Sequence, residues 1–371
     1  LALFVCLAQA LPPASCSQGS AVVLQHAGRP ARVVQGFECD STRERARLVA
    51  WSIADGERVW NAPADAGSLA FARKLVALSD VDGDGWQDFA AISLDAATQT
   101  QLVSVRSGAR GDSLHVLRGE ADERDFASVV LALNDRNGDG IADWAVGACV
   151  KHPVERAHYA ALVLVSGKSG ERLDRIVSSE RVSSTQGFAY GDGGDHVRLL
   201  AGKAVLDFDL AAGVVAHVWQ SSSAAATPLR LVRGCDGSPC VLESLAGGEL
   251  CMRALDATTL ADRGVRELPG LRPLVDLVRV PDRNGDNCED FLALHTGSAA
   301  GLATWLSGRD FAVLGALRPD GVPTQFQSRE AHSLGELGFL ITNGNQRPLE
   351  KDRGVYWFAA DGKLRRVFAG S

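Results

Sequence analysis

A hairpin pattern recurs about every fifty residues along this chain, and no other feature limits its fold as much. Seven segments share one design: an apolar strand, a short turn with Ser, Asp or Gly, then a second apolar strand. They are 48–60, 102–117, 162–176, 205–219, 252–265, 304–317 and 355–368. Their turn centres are spaced about 51 residues apart, the period of a repeat architecture. Alternating apolar and polar residues around small turns read as β-hairpins. Helical periodicity is hard to find in the body of the chain. Each unit has room for two further strands, and four strands per unit is the make-up of a propeller blade. A blade has two apolar faces and cannot bury them alone; neighbours in a closed ring can. The expectation is an all-β, seven-bladed β-propeller with four-stranded antiparallel blades, over residues 20–371 as a single domain. A pair of β-sandwiches is the runner-up.

Composition agrees. The chain has 371 residues, 46% hydrophobic and 22% charged, enough apolar material for a sizeable core. Its net charge of −7 argues against a nucleic-acid partner. Past the first residues, no apolar run reaches the ~20 residues that a membrane helix needs. Residues 1–11, LALFVCLAQAL, resemble the apolar core of a signal peptide, with Ala8-Gln9-Ala10 as a cleavage signal. Residues 1–15 are therefore read as a signal-peptide remnant whose start lies upstream, because the one Met is Met252. The expected location is secreted, periplasmic or cell-surface. There disulfides persist, and Cys235 and Cys240, bracketing a tight turn, are expected to pair. Cys39, Cys149, Cys251 and Cys288 are too scattered to assign.

Three loops carry the chemistry: 80–88, 135–143 and 282–290. Their acidic and amide positions 1, 3, 5 and 9 are Asp80, Asp82, Asp84 and Asp88; Asp135, Asn137, Asp139 and Asp143; and Asp282, Asn284, Asp286 and Asp290. Position 4 is Gly83, Gly138 or Gly285, and position 6 is Gly85, Gly140 or Asn287, residues that tolerate positive φ. Alternate side chains of such a loop can aim at one point. Oxygens gathered there repel one another unless a cation is present, and an all-oxygen set implies a hard one. Calcium suits many oxygens on a flexible loop. The backbone carbonyls of Trp86, Ile141 and Cys288, at position 7, are expected to add a ligand. About three Ca²⁺ ions are thus expected. An EF-hand is excluded, because position 12 is Ala91, Val146 or Ala293 in place of Glu, and the flanks read as strands.

The strand–DxDGDGxxD–strand unit within a blade resembles the FG-GAP repeat of integrin α-subunit propellers and related bacterial secreted proteins. The motif is specific at 75–92, 129–146 and 277–294, and the hairpin pattern extends the likeness over roughly 30–370. The family's Phe-Gly element is present only as Phe71-Ala72 and Phe126-Ala127, and its Gly-Ala-Pro element as Gly147-Ala148-Cys149. The resemblance implies calcium stiffening the loop between a blade's first two strands, with partners bound through other loops. Segments near 37–50, 186–204, 229–244 and 335–345 lack the ligands. GDGGD at 191–195 reads as a decayed copy retaining Asp192 and Asp195.

Other signals are weaker. Arg110-Gly111-Asp112 falls in a hairpin turn, where a turn role explains it. Trp60 and 254–260 resemble quinoprotein repeats, but the other blades lack that Trp. No HExxH or GxSxG occurs. The expected role is a calcium-binding scaffold for binding or adhesion, without catalysis, acting as a monomer on an extracellular protein or glycan. Alternatives are a propeller-based polysaccharide lyase or hydrolase, or a structural module of a surface assembly.

Overall fold

The computed structural model describes residues 16–39, 46–65, 67–152, 154–155, 157–182, 185–191, 195–221, 227–245, 249–268, 274–295, 303–317, 328–343 and 355–368. The leader candidate at 1–15 and Asp192 lie outside them. Twenty-eight strands form seven four-stranded sheets among the described residues, each an antiparallel meander in sequence order. Blade 1 is β1 (Cys16–His26), β2 (Arg29–Cys39), β3 (Arg47–Ser52) and β4 (Arg58–Pro63). Blade 2 is β5 (Ser68–Ala77), β6 (Phe89–Asp95), β7 (Gln101–Arg106) and β8 (Ser113–Arg118). Blade 3 is β9 (Glu123–Ala132), β10 (Trp144–Lys151), β11 (His158–Val165) and β12 (Arg172–Arg181). Blade 4 is β13 (Thr185–Gly191), β14 (His196–Ala201), β15 (Ala204–Asp209) and β16 (Val214–Gln220). Blade 5 is β17 (Thr227–Arg233), β18 (Pro239–Ser244), β19 (Leu250–Leu255) and β20 (Asp262–Leu268). Blade 6 is β21 (Leu274–Val280), β22 (Asp290–His295), β23 (Ala303–Leu306) and β24 (Val313–Leu317). Blade 7 is β25 (Ser328–Ser333), β26 (Phe339–Asn343), β27 (Val355–Phe358) and β28 (Leu364–Phe368).

The seven hairpins read from the sequence are the third and fourth strands of the seven blades. Burial explains why they were legible. The fourth strand is the outer edge and keeps one face in water, so β8 and β16 alternate. The second strand of blade 3, β10, is covered on both faces and is buried from Trp144 through Val150. Seven apolar clusters fill the seven seams. Val22, Leu24 and Leu48 of blade 1 meet Phe71, Leu75 and Phe89 of blade 2. The set ends with Val33, Phe37 and Val49 of blade 1 against Leu340, Val355 and Phe368 of blade 7. That last cluster closes the ring, helped by Ser20 Oγ, which donates to Glu330 Oε2 at 2.8 Å. Each blade is drawn from one unbroken stretch of sequence, so closure relies on packing between complete sheets.

The innermost strands share an irregularity. The pairing of first to second strand slips near the start of every blade, for example between Gln18 and Ala21, Leu69 and Lys74, Leu274 and Asp276, and Ser328 and Ala331. Bulges of this kind re-aim side chains. The acidic loops leave the far ends of three inner strands: β5–β6, β9–β10 and β21–β22.

Candidate metal centre

The three acidic loops fold alike, by local hydrogen bonds that their sequence dictates. The first Asp folds the loop over its own carboxylate. Asp80 Oδ1 accepts from Gly83 N at 2.8 Å, Asp135 Oδ1 from Gly138 N at 2.7 Å, and Asp282 Oδ1 from Gly285 N at 2.8 Å. The other oxygen accepts from position 6: Gly85 N, Gly140 N and Asn287 N. Those donors sit in left-handed backbone, with φ of 88°, 85° and 64°. Asn287 therefore does the work of Gly in the third loop, as its short polar side chain permits. The position-5 carboxylate accepts from the position-7 N–H: Asp84 from Trp86, Asp139 from Ile141 and Asp286 from Cys288.

The ninth residue ties the loop to its blade. Asp88, Asp143 and Asp290 are at most 1% exposed. Through Oδ2 they hold the N–H of position 2, from Val81, Arg136 and Arg283. Through Oδ1 they accept from Gly108, Gly167 and Gly308, in the turn between the blade's third and fourth strands. Burial pushes Asp88 up to about 7, although three N–H groups favour its anion.

Sequence reasoning missed those turn glycines. A methyl group at Gly108, Gly167 or Gly308 would overlap the position-8 carbonyl oxygen of Gln87, Ala142 or Glu289. Glycine is needed there for close approach. The signal was present in the sequence: Ser107-Gly108, Ser166-Gly167 and Ser307-Gly308 open the turn in the three blades with acidic loops. Ser52-Ile53, Asp209-Leu210 and Asp256-Ala257 stand there in blades 1, 4 and 5.

The loops differ in how closely their carboxylates gather. Oxygens of Asp80, Asp82 and Asp88 all lie within 4.8 Å of one another, as do those of Asp282, Asp286 and Asp290. Among the described residues the second loop forms no such group of three. There Asn137 Nδ2 donates to Asp139 Oδ2 at 2.9 Å, and Ser166 Oγ donates to the same oxygen at 3.2 Å. Asp84 is turned partly toward Arg110. The donors are oxygens throughout, and a carboxylate has about four lone-pair sites, so those already accepting N–H bonds keep capacity for a cation. The set fits a hard divalent ion and offers nothing to a soft one.

Each loop also braces a neighbouring blade. Trp86 pairs with His26 of blade 1, and the Arg32 guanidinium lies 3.7 Å from the Trp86 ring centroid. Arg136 pairs with Asp195 of blade 4. Arg283 donates to the Ala360 carbonyl of blade 7 at 2.8 Å. Cys288 forms a disulfide with Cys235 of blade 5, with Cα atoms 5.3 Å apart. This corrects the expected Cys235–Cys240 pair. Cys240 lies on β18 with its thiol in the core between blades 5 and 6, whereas Cys235 sits in the turn and reaches the next blade. Burial pushes the free Cys240 thiol up to about 12. Cys149 and Cys251 are buried thiols as well.

No family model matches the chain, and no curated protein matches it. Among solved structures, a protein of unknown function from Bacteroides caccae is similar over 95% of this chain and 93% of that chain, with 13% identity and a TM-score of 0.43.

Proposed function

We propose that this β-propeller is an exported scaffold whose three acidic loops hold Ca²⁺ as structural ions, and whose work is binding or adhesion to an extracellular protein or glycan. The observation that carries the reading is the gathering of three carboxylates within 4.8 Å in both the first and third loops. Like charges at that spacing favour a bound cation. The Cys235–Cys288 disulfide supports an oxidising compartment. Ala72 and Ala127 support the FG-GAP resemblance: their φ angles of 55° and 61° are the backbone that the family's Phe-Gly glycine adopts freely. Extracellular calcium would fill sites of even ~10⁻⁴–10⁻³ M affinity. Ions bound to the folded state alone stabilise it by mass action, about 2.7 kcal/mol per site at a hundredfold excess over Kd. Metal analysis of the purified protein should find calcium, and EGTA should lower its melting temperature. Asp84→Ala and Asp139→Ala should each remove about one equivalent. Metal-free protein whose melting ignores calcium would end the reading.

A second reading, a polysaccharide lyase or hydrolase, is favoured by charged groups on the inner strands near the bulges. Arg230 Nε lies 3.7 Å from Asp276 Oδ1, and Glu330 holds Ser20; Lys74 feels Glu330, Arg230 and Asp276 electrostatically. Activity on a polysaccharide panel, abolished by Glu330→Gln, would establish it; an inactive protein would remove it.

A further inference from the structure

We propose that Arg110 is a built-in competitor for the cation at the first acidic loop and lowers that loop's affinity. The inference rests on the calcium reading and concerns one residue outside the ligand set. Arg110 leaves the turn between β7 and β8 and lies across the loop. Its Nη2 is 2.7 Å from Asp82 Oδ2, its Nη1 3.3 Å from Asp84 Oδ2, and its Nε 3.2 Å from Asp112 Oδ2. Two of the four ligand side chains are thus engaged by one guanidinium, the positive charge that a divalent ion would supply.

The other loops have a basic residue nearby but use it differently. Arg309 in blade 6 spends its guanidinium on the Asp286 backbone carbonyl, at 2.6 Å, and its Nε is 3.9 Å from the Asp286 carboxylate. Lys168 in blade 3 acts on Asp139 through space, without the close ion pair that Arg110 makes with Asp82. In both loops a neutral Asn amide, from Asn137 or Asn284, contacts the position-5 carboxylate oxygen. Moving a neutral amide costs less than separating an ion pair. The sequence shows the same compensation: position 3 is Asp82 in the first loop and Asn in the others, and the extra carboxylate is the one that Arg110 meets most closely. A cation entering the first loop must displace the guanidinium or bind beside it, and either outcome weakens binding.

The first loop can be read by difference, because Trp144 follows Asp143 in the second loop and Trp305 lies under Arg283 in the third, so each can also excite bound Tb³⁺. Its position 7 is Trp86, where the others have Ile141 and Cys288. Tb³⁺ in that loop should emit on tryptophan excitation, and the part of the emission that Asp84→Ala removes is the first loop's signal. Arg110 is 53% exposed, so replacing it leaves the core intact. Arg110→Gln should tighten Ca²⁺ at the first loop on the order of tenfold, the effect of one unit charge on a divalent ion across a few ångströms of water-like dielectric, and should tighten trivalent Tb³⁺ by more. Arg110→Lys should leave the affinity within about threefold of wild type, because the charge remains. Calorimetry should show the other two calcium sites unchanged. An Arg110→Gln affinity equal to wild type, with both proteins binding three ions, overturns the competitor role and leaves the calcium reading standing. Absence of binding in both proteins overturns both.

Discussion

Blades 2, 3 and 6 differ from blades 4 and 5 at one corner, and the difference shows how a ring of like sheets builds dissimilar seams. In the first group the turn between the third and fourth strands opens with Ser-Gly, and the acidic loop's carbonyl rests on the bare glycine. In blade 4 that position is Leu210, which is 6% exposed and joins the core with blade 3. In blade 5 it is Ala257, whose carbonyl accepts from Arg198 at 2.7 Å. The loopless turns also fasten themselves. Asp209 accepts from the N–H of Ala211 and Ala212, and Asp256 from Thr258 and Thr259. In the loop-bearing blades the carboxylate that grips the turn comes from the loop. One corner is thus filled by an apolar side chain in blade 4, by a carbonyl held by Arg198 in blade 5, and by a charged loop in blades 2, 3 and 6.

The severest break in this comparison should come from the bond that joins the two kinds of blade. Cys235→Ser with Cys288→Ser frees blade 5 from the third loop and restores the entropy of a closed loop of about fifty residues, costing on the order of 4 kcal/mol. Urea unfolding should show a lower midpoint and weaker calcium binding at the third loop. An unchanged midpoint would mean that the seam needs no staple.

Next comes the corner itself. Gly308→Ala and Gly167→Ala force a methyl into a carbonyl oxygen and should cost about 1–3 kcal/mol. Ala257→Gly in blade 5 should cost less than either, under about 1 kcal/mol. Equal costs would show that the loop does not press on its turn.

A smaller effect should appear in pH. Asp88 is raised, so metal-free protein keeps it protonated below about 7 and ionised above. A cation needs the anion, so first-loop affinity should fall as pH drops below 7 and level off above it. The part of the tryptophan-excited Tb³⁺ emission that Asp84→Ala removes, followed at a mildly acidic and a mildly alkaline pH, tests this; a flat profile would show that the N–H donors outweigh burial. The smallest change should be Ala127→Gly. It relieves a left-handed backbone costing about 1–2 kcal/mol and loses a buried methyl, a net gain of under about 1 kcal/mol. A clear loss of stability would show that burying the methyl outweighs the backbone strain.

Much of this was legible in the sequence, for physical reasons. Outer hairpins such as 102–117 alternate because one face meets water, and acidic loops such as 80–88 space their carboxylates by backbone geometry alone. Other features were hidden. The register slips between Leu69 and Lys74 and between Leu274 and Asp276 have no mark in the local alternation of residues. The Cys235–Cys288 bond depends on which blade is next door, and proximity in the chain pointed to Cys240. The Ser-Gly signal could be read only once the loop was known to lie against it.

Because every sheet is wound from a single continuous run, the bracelet has one clasp, the junction of blades 7 and 1, held by Phe37, Val355, Phe368 and the Ser20–Glu330 contact. Parting that clasp pulls no strand out of register. It turns a torus into an open arc whose remaining six junctions are untouched, so unravelling can proceed link by link from that gap. By the same reasoning, adding or removing about fifty residues would resize the ring by one link and leave every other link as it was.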